Sequence, residues 1–128
     1  TSEEMKMQNE GRKILHLPEL KVSCTCVRVP VVRSHSVSIV VRTKEKITVA
    51  DARAAIAKAA GCRLVDDLQN KQYPMPLDTS DQDIVFVGRI RDDLTSDNGL
   101  NIWCCGDQVR KGAATNTVQI AELAMGIK

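Results

Sequence analysis

A chain of 128 residues, 43% of them hydrophobic, is long enough for one domain with a buried core. Basic and acidic residues nearly cancel at a net charge of +2, and Trp103, Tyr73 and Phe86 are the only aromatics, which excludes a nucleic-acid surface built from basic blocks and base-stacking rings. No apolar run is long enough to cross a bilayer and no charged-then-apolar leader is present, so a soluble chain is expected, with neither membrane nor nucleic acid as partner.

Thr1 to Leu15 carries helix signals. Thr1 with Glu4 three residues on forms a capping-box pattern, and Met7, Gly11, Ile14 and Leu15 share one helical stripe. Glu3 and Lys6 are neighbours on such a helix. Either they form a local ion pair, or a carboxylate and an ammonium near a helix start serve to bind an amino group and an anion. The chain begins without methionine and the helix opens at once, which suggests a piece cut from something longer.

Beyond Pro18, Lys21 to Val29 alternates as a strand, with Cys24, Cys26 and Arg28 on one face. Arg28 and His35 are separated by seven residues. In one uninterrupted strand that odd spacing sends the two side chains to opposite faces. They meet only if the backbone turns between them, and Pro30, which cannot donate to a ladder, is the natural place. A guanidinium fork and an imidazole in one cleft suit chemistry that holds a carboxylate while a proton moves. The plainer alternative is that Arg28 pairs with a surface acid and His35 caps a turn. The five cysteines lack CxxC spacing, so neither a disulfide framework nor a metal site is indicated, and a reducing compartment fits.

Ser36 to Thr43 reads as a second strand. Thr48 as N-cap with Asp51 in the box position opens a helix that runs through Ala60 and stops at Gly61. Arg63 to Val65 is a short strand ending at Asp66 and Asp67, which are expected to be solvated acids rather than a metal pair. Tyr73 to Asp78, with two prolines, is expected to be irregular or an extended edge. Ile84 to Arg91 and Leu100 to Cys105 are strands separated by a turn at Asp97, Asn98 and Gly99, in an antiparallel pattern. In the first of them Val85, Val87, Arg89 and Arg91 are expected on one face, with the arginines an interface or surface feature rather than a substrate clamp. Val109 to Met125 reads as a helix with a small-residue face formed by Ala113, Ala114, Thr117, Ile120, Ala121 and Ala124.

EEMKM at Glu3 to Met7, TCVRVPV at Thr25 to Val31, SHS at Ser34 to Ser36, VGRIRDD at Val87 to Asp93, GDQVRKGAA at Gly106 to Ala114 and VQIAE at Val118 to Glu122 resemble, in this order, the C-terminal part of the aspartate-semialdehyde dehydrogenase family. The resemblance covers nearly the whole chain. It implies an α+β fold, a mostly antiparallel or mixed sheet with helices packed on one face, like the C-terminal domain of glyceraldehyde-phosphate dehydrogenase. Residues 1–108 would form the catalytic and dimerisation domain, and residues 109–128 a helix returning to an NADP-binding domain outside this sequence.

The activity so implied is NADPH-dependent reduction of L-aspartyl 4-phosphate to L-aspartate 4-semialdehyde with release of phosphate, a step of lysine, methionine and threonine biosynthesis. In the family a cysteine thiolate attacks the acyl phosphate and hydride releases the aldehyde from the thioester. Carried over by matching motif, His35 is the general acid/base, Arg28 holds the substrate α-carboxylate, Glu3 contacts its amino group, Lys6 sits at the phosphate site and Gln108 contacts the cofactor. The family's glycine-rich dinucleotide loop and its nucleophilic cysteine, in its asparagine-cysteine-serine or threonine context, are absent from these residues. Cys26, at a position where the family also tends to carry cysteine, is not that nucleophile. The chain is therefore expected to be inactive alone and to act as a homodimer or tetramer in the bacterial cytoplasm or plastid stroma. The rival reading is a stand-alone, non-catalytic dimerisation module.

Overall fold

Local capping decides where the first helix begins in the computed structural model, which describes residues 1–127. Helix α1 spans Ser2–Ile14. The Thr1 hydroxyl accepts from the Glu4 amide at 3.4 Å and the Glu4 side chain reaches back to the Thr1 nitrogen, the expected capping box. The chain falls into two compact units, Thr1–Pro30 and Val31–Lys128.

In the first unit, the expected strand over Lys21 to Val29 is not formed. Alternation gives a backbone the means to pair but not a partner, and this segment is tied to α1 instead. The Cys26 amide donates to Glu4 Oε1 at 3.0 Å, and the Cys24 thiol lies 3.7 Å from the Glu4 carbonyl oxygen. Arg12 Nε donates to the Leu20 carbonyl at 2.9 Å, fastening the turn that leads into the segment.

The second unit is built on a four-stranded mixed sheet. Strands β1 (His35–Arg42), β2 (Cys62–Leu64), β3 (Val85–Asp92) and β4 (Gly99–Gly106) are ordered β1-β4-β3-β2. The β1–β4 and β3–β4 pairs are antiparallel, as read for the hairpin, and β2–β3 is parallel, so the sheet is mixed. Helix α2 (Val49–Lys58) starts at the expected Thr48 cap, whose hydroxyl accepts from the Asp51 amide at 3.1 Å. The chain then leaves the helix through Gly61 at φ +77°. Its apolar residues Val49, Ala52 and Ile56 pack on Val41, Leu64, Ile90, Leu100 and Ile102, which makes this face of the sheet the core.

Pro74 crosses the other face, where its carbonyl accepts from Trp103 Nε1 at 3.1 Å. A short helix α3 (Pro76–Thr79) follows where an irregular stretch was expected. Proline suits this position, because its fixed φ fits a first helical turn and the N–H it lacks would be unpaired there. Met75, before it, is extended.

Strand β3 departs from simple alternation. Its register with β4 skips between Gly88 and Arg91, and Arg89 adopts φ +54°. Gly88 and Arg91 therefore stand opposite Trp103 and Asn101 on one face, whereas Val87 stands opposite Cys104 on the other and is buried. The expected common face of Val85, Val87, Arg89 and Arg91 does not exist, nor is Val87 a surface residue.

The bulge needs an acceptor for the amides it removes from the ladder. Asp66 supplies it: its carboxylate accepts from the Arg89 amide at 2.8 Å and the Ile90 amide at 3.3 Å, and is paired with Arg53. Asp66 is thus buried rather than the solvated strand-end acid that its position suggests.

After β4 the chain makes a wide π-helical turn, Arg110–Ala114, before helix α4 (Thr115–Ala124), where a single helix from Val109 to Met125 was expected. The amide of Gly112 bonds the carbonyl of Asp107 at 2.9 Å, and that of Ala114 bonds Val109 at 3.0 Å, both spanning five residues. Val118, Ile120 and Leu123 on α4 are exposed. Among the described residues no helix is long and apolar enough to cross a membrane.

Candidate functional site

Three segments of the second unit converge at the start of β1: Arg33–His35, Thr79–Asp81 and Asp107–Arg110. The sheet brings the first and last together, because His35 lies opposite Gly106 in the β1–β4 ladder, one residue before Asp107. His35 itself is exposed, at the head of the edge strand β1.

Ser34, immediately before it, carries the strain of the site. Its φ is +77°, a left-handed conformation that costs a non-glycine residue about 1–3 kcal/mol and persists only where neighbours enforce it. The neighbours are specific. The Ser34 amide donates to Gln108 Oε1 at 2.8 Å, the Thr79 hydroxyl donates to Ser34 Oγ at 3.1 Å, and Ser80 Oγ lies 3.4 Å from Ser34 Oγ. Thr79 is fully buried and Ser34 nearly so.

Asp107 ties the same segments from beneath. Its Oδ1 accepts from the amides of Val109 and Arg110 at 2.8 and 3.0 Å, capping the wide turn, and its Oδ2 accepts from the Asp81 amide at 2.8 Å. Arg33 Nε lies 2.7 Å from that Oδ2, an ion-pair contact with the N–H aimed off the hydrogen-bond line, while Arg33 Nη1 pairs with Asp81 Oδ1 at 2.8 Å. Burial alone would push the Asp107 carboxyl up. The three amides and the guanidinium outweigh it and hold the group at about 2, so it is an anion with no solvent exposure. Arg110 reaches on to Asp83 with two hydrogen bonds of 2.8 and 2.7 Å, and with Thr115 it holds the Asp83 carboxyl at about 2.

Of the residues singled out from sequence, His35 and Gln108 are brought together here, one residue of backbone apart through Ser34. Glu3, Lys6 and Arg28 lie in the first unit. Lys6 Nζ and Glu3 Oε1 are 2.9 Å apart on the first turns of α1, both exposed, and this pairing pushes the Lys6 ammonium pKa up. Arg28 is exposed, and among the described residues no carboxylate pairs with it. Ser34, Thr79 and Asp107 were missed. A signal existed for Asp107 alone, since an aspartate between a strand and a helix is an N-cap pattern. The contacts of Ser34 and Thr79 span 45 residues and more.

The profile described as semialdehyde dehydrogenase, dimerisation domain, matches residues 1–111. The chain belongs to the semialdehyde dehydrogenase family. It is 51% identical over 123 residues to an aspartate-semialdehyde dehydrogenase of Prochlorococcus marinus and 53% identical over 121 residues to that of Synechocystis, covering 96% and 94% of this chain. It spans about 36% of the length of each of these relatives.

Among solved structures, aspartate semialdehyde dehydrogenase II of Vibrio cholerae, complexed with ASA, superposes with a TM-score of 0.91 at 40% identity, over 98% of this chain and 37% of that one. The enzyme of Francisella tularensis gives a TM-score of 0.80 at 28% identity, over 98% of this chain and 35% of that one. These likenesses bear out the family read from the motifs and the α+β fold with a mixed sheet.

Proposed function

We propose that the chain is the substrate-binding, acid/base and dimerisation part of an NADP-dependent aspartate-semialdehyde dehydrogenase. The observation that carries this is the high identity to such enzymes along nearly the whole chain. The reaction is reductive dephosphorylation of L-aspartyl 4-phosphate to L-aspartate 4-semialdehyde, with the attacking thiol and most of the cofactor site supplied by sequence outside this chain.

In this reading Arg28 grips the substrate α-carboxylate with its planar fork, which no acid of the described residues occupies. Glu3 accepts from the substrate amino group and Lys6 receives the phosphate, each exchanging its partner on α1 for substrate. His35, exposed and held at a strained backbone corner, moves the proton to and from the reacting sulfur and oxygen. The nicotinamide cofactor supplies hydride when bound. Gln108 suits a place beside it, because its oxygen is committed to the Ser34 amide and its amide N–H groups remain to donate. Val118, Ile120 and Leu123 on the exposed side of α4 fit against the nucleotide-binding domain, and residues 1–108 form the homodimer contact.

The test is a joined enzyme in which this chain replaces the matching segment of the Synechocystis relative. Phosphate-dependent formation of NADPH from aspartate semialdehyde is expected. A folded, dimeric joined enzyme without that activity would favour a non-catalytic dimerisation module.

A further inference from the structure

We propose that Asp107 is a positioning residue for His35, acting through Arg33 and the Ser34 corner; the inference rests on the acid/base role given to His35 above. A helix cap needs one carboxylate oxygen, and Oδ1 serves that purpose alone by accepting from Val109 and Arg110. Oδ2 is spent elsewhere, on the Asp81 amide and the Arg33 guanidinium. Of the two, the Arg33 guanidinium belongs to the residue that leads into the imidazole's support. Arg33 precedes the strained Ser34, and Gln108, which follows Asp107, takes the Ser34 amide. The buried carboxylate therefore holds the residue before the corner directly, through Arg33, and is next in the chain to Gln108, which holds the corner's amide. Thr79 and Ser80 close the third side.

Asp107→Asn separates the cap from the tie. The remaining carbonyl oxygen can still accept from Val109 and Arg110, while the new amide N–H₂ faces the Asp81 amide and Arg33, donors against donors. The corner that carries the imidazole then loses its fixed placement, and misplacement by about 1 Å costs on the order of 10- to 100-fold in rate.

In the joined enzyme, Asp107→Asn is expected to lower kcat by at least about 10-fold while KM for aspartate semialdehyde stays within about threefold. On a His35→Ala background the same change should alter kcat by less than about twofold, because a residue that acts through the imidazole has nothing left to position. A kcat within about twofold of the parent, or an equal loss on both backgrounds, overturns the proposal. If Asp107→Asn does not fold, Arg33→Gln removes the same tie and leaves the cap intact, and a kcat unchanged in that variant is equally fatal. Should His35→Ala match the parent, the acid/base reading itself falls. Should His35→Ala fail while Asp107→Asn works normally, only the positioning role is lost.

Discussion

Replacing Asp66 by alanine removes the acceptor on which the β3 bulge is built. The Asp66 side chain is 2% exposed, so the amides it serves cannot turn to water when it is gone. The Arg89 amide, at 2.8 Å, loses a hydrogen bond to a charged acceptor worth about 1.5–3 kcal/mol, and the longer bond to Ile90, at 3.3 Å, adds about 1 kcal/mol. Arg53 contributes less, since it is 38% exposed and keeps its bond to the Asp66 carbonyl at 2.8 Å; solvent screening limits its share to about 1 kcal/mol or less. The expected loss is about 3–5 kcal/mol, in the range for breaking a buried ion pair. The single tryptophan, Trp103, sits in the strand next to the bulge and reports on it. In urea unfolding followed by its fluorescence, with a slope of about 2 kcal/mol per molar, the midpoint should drop by about 2 M. Asp66→Asn, which keeps one accepting oxygen, should lose less than half as much. A shift under about 0.5 M for Asp66→Ala would refute the claim that this carboxylate holds the bulge.

Gly88→Ala tests the close approach of β3 to the chain beside it. A β-carbon there would fall 2.0 Å from the Val65 carbonyl oxygen and 2.8 Å from Pro74 Cδ, so backbone must move. A loss of at least about 3 kcal/mol is expected by the same titration, and a loss under about 1 kcal/mol would show that the segment yields easily. Acid should weaken the second unit through Asp83, lowered by Arg110 and Thr115, and through Asp107, where the bonds outweigh burial. Both are held at about 2 against an ordinary 3.8, so their stabilisation is complete above pH 3.8 and disappears as pH falls through about 2. The urea midpoint should be flat from about pH 7 to 5 and decline between about pH 4 and 2, and a plateau down to pH 2 would contradict the assignment.

What was legible in the sequence was local. Thr1 with Glu4 and Thr48 with Asp51 announce helix starts within four residues, and the alternation of Ser36–Thr43 and Leu100–Cys105 finds a partner in the sheet. Lys21–Val29 alternates as well, yet a strand exists only when another strand pairs with it. The bulge at Arg89 was hidden for a related reason, because its cause, Asp66, stands 23 residues earlier. At the candidate site, Asp107 had a local signal as a cap, but its hold on Arg33 joins residues that only the β1–β4 ladder brings together. The chemical roles of Arg28, Glu3 and Lys6 came from likeness to a family rather than from spacing. Arg28 and His35 were singled out together by residue type and spacing, the role of His35 too came from the likeness, and the strained Ser34 beside it adds a physical reason to look there.

The central claim is that the His35 imidazole is the acid/base of a semialdehyde dehydrogenase. Its most direct measurement is the rate of phosphate-dependent NADPH formation from aspartate semialdehyde by the joined enzyme, compared with its His35→Ala variant at equal folded concentration. The account predicts a kcat reduced by about 10²- to 10⁴-fold with the dimer intact. A variant that turns over within about twofold of the parent would contradict it.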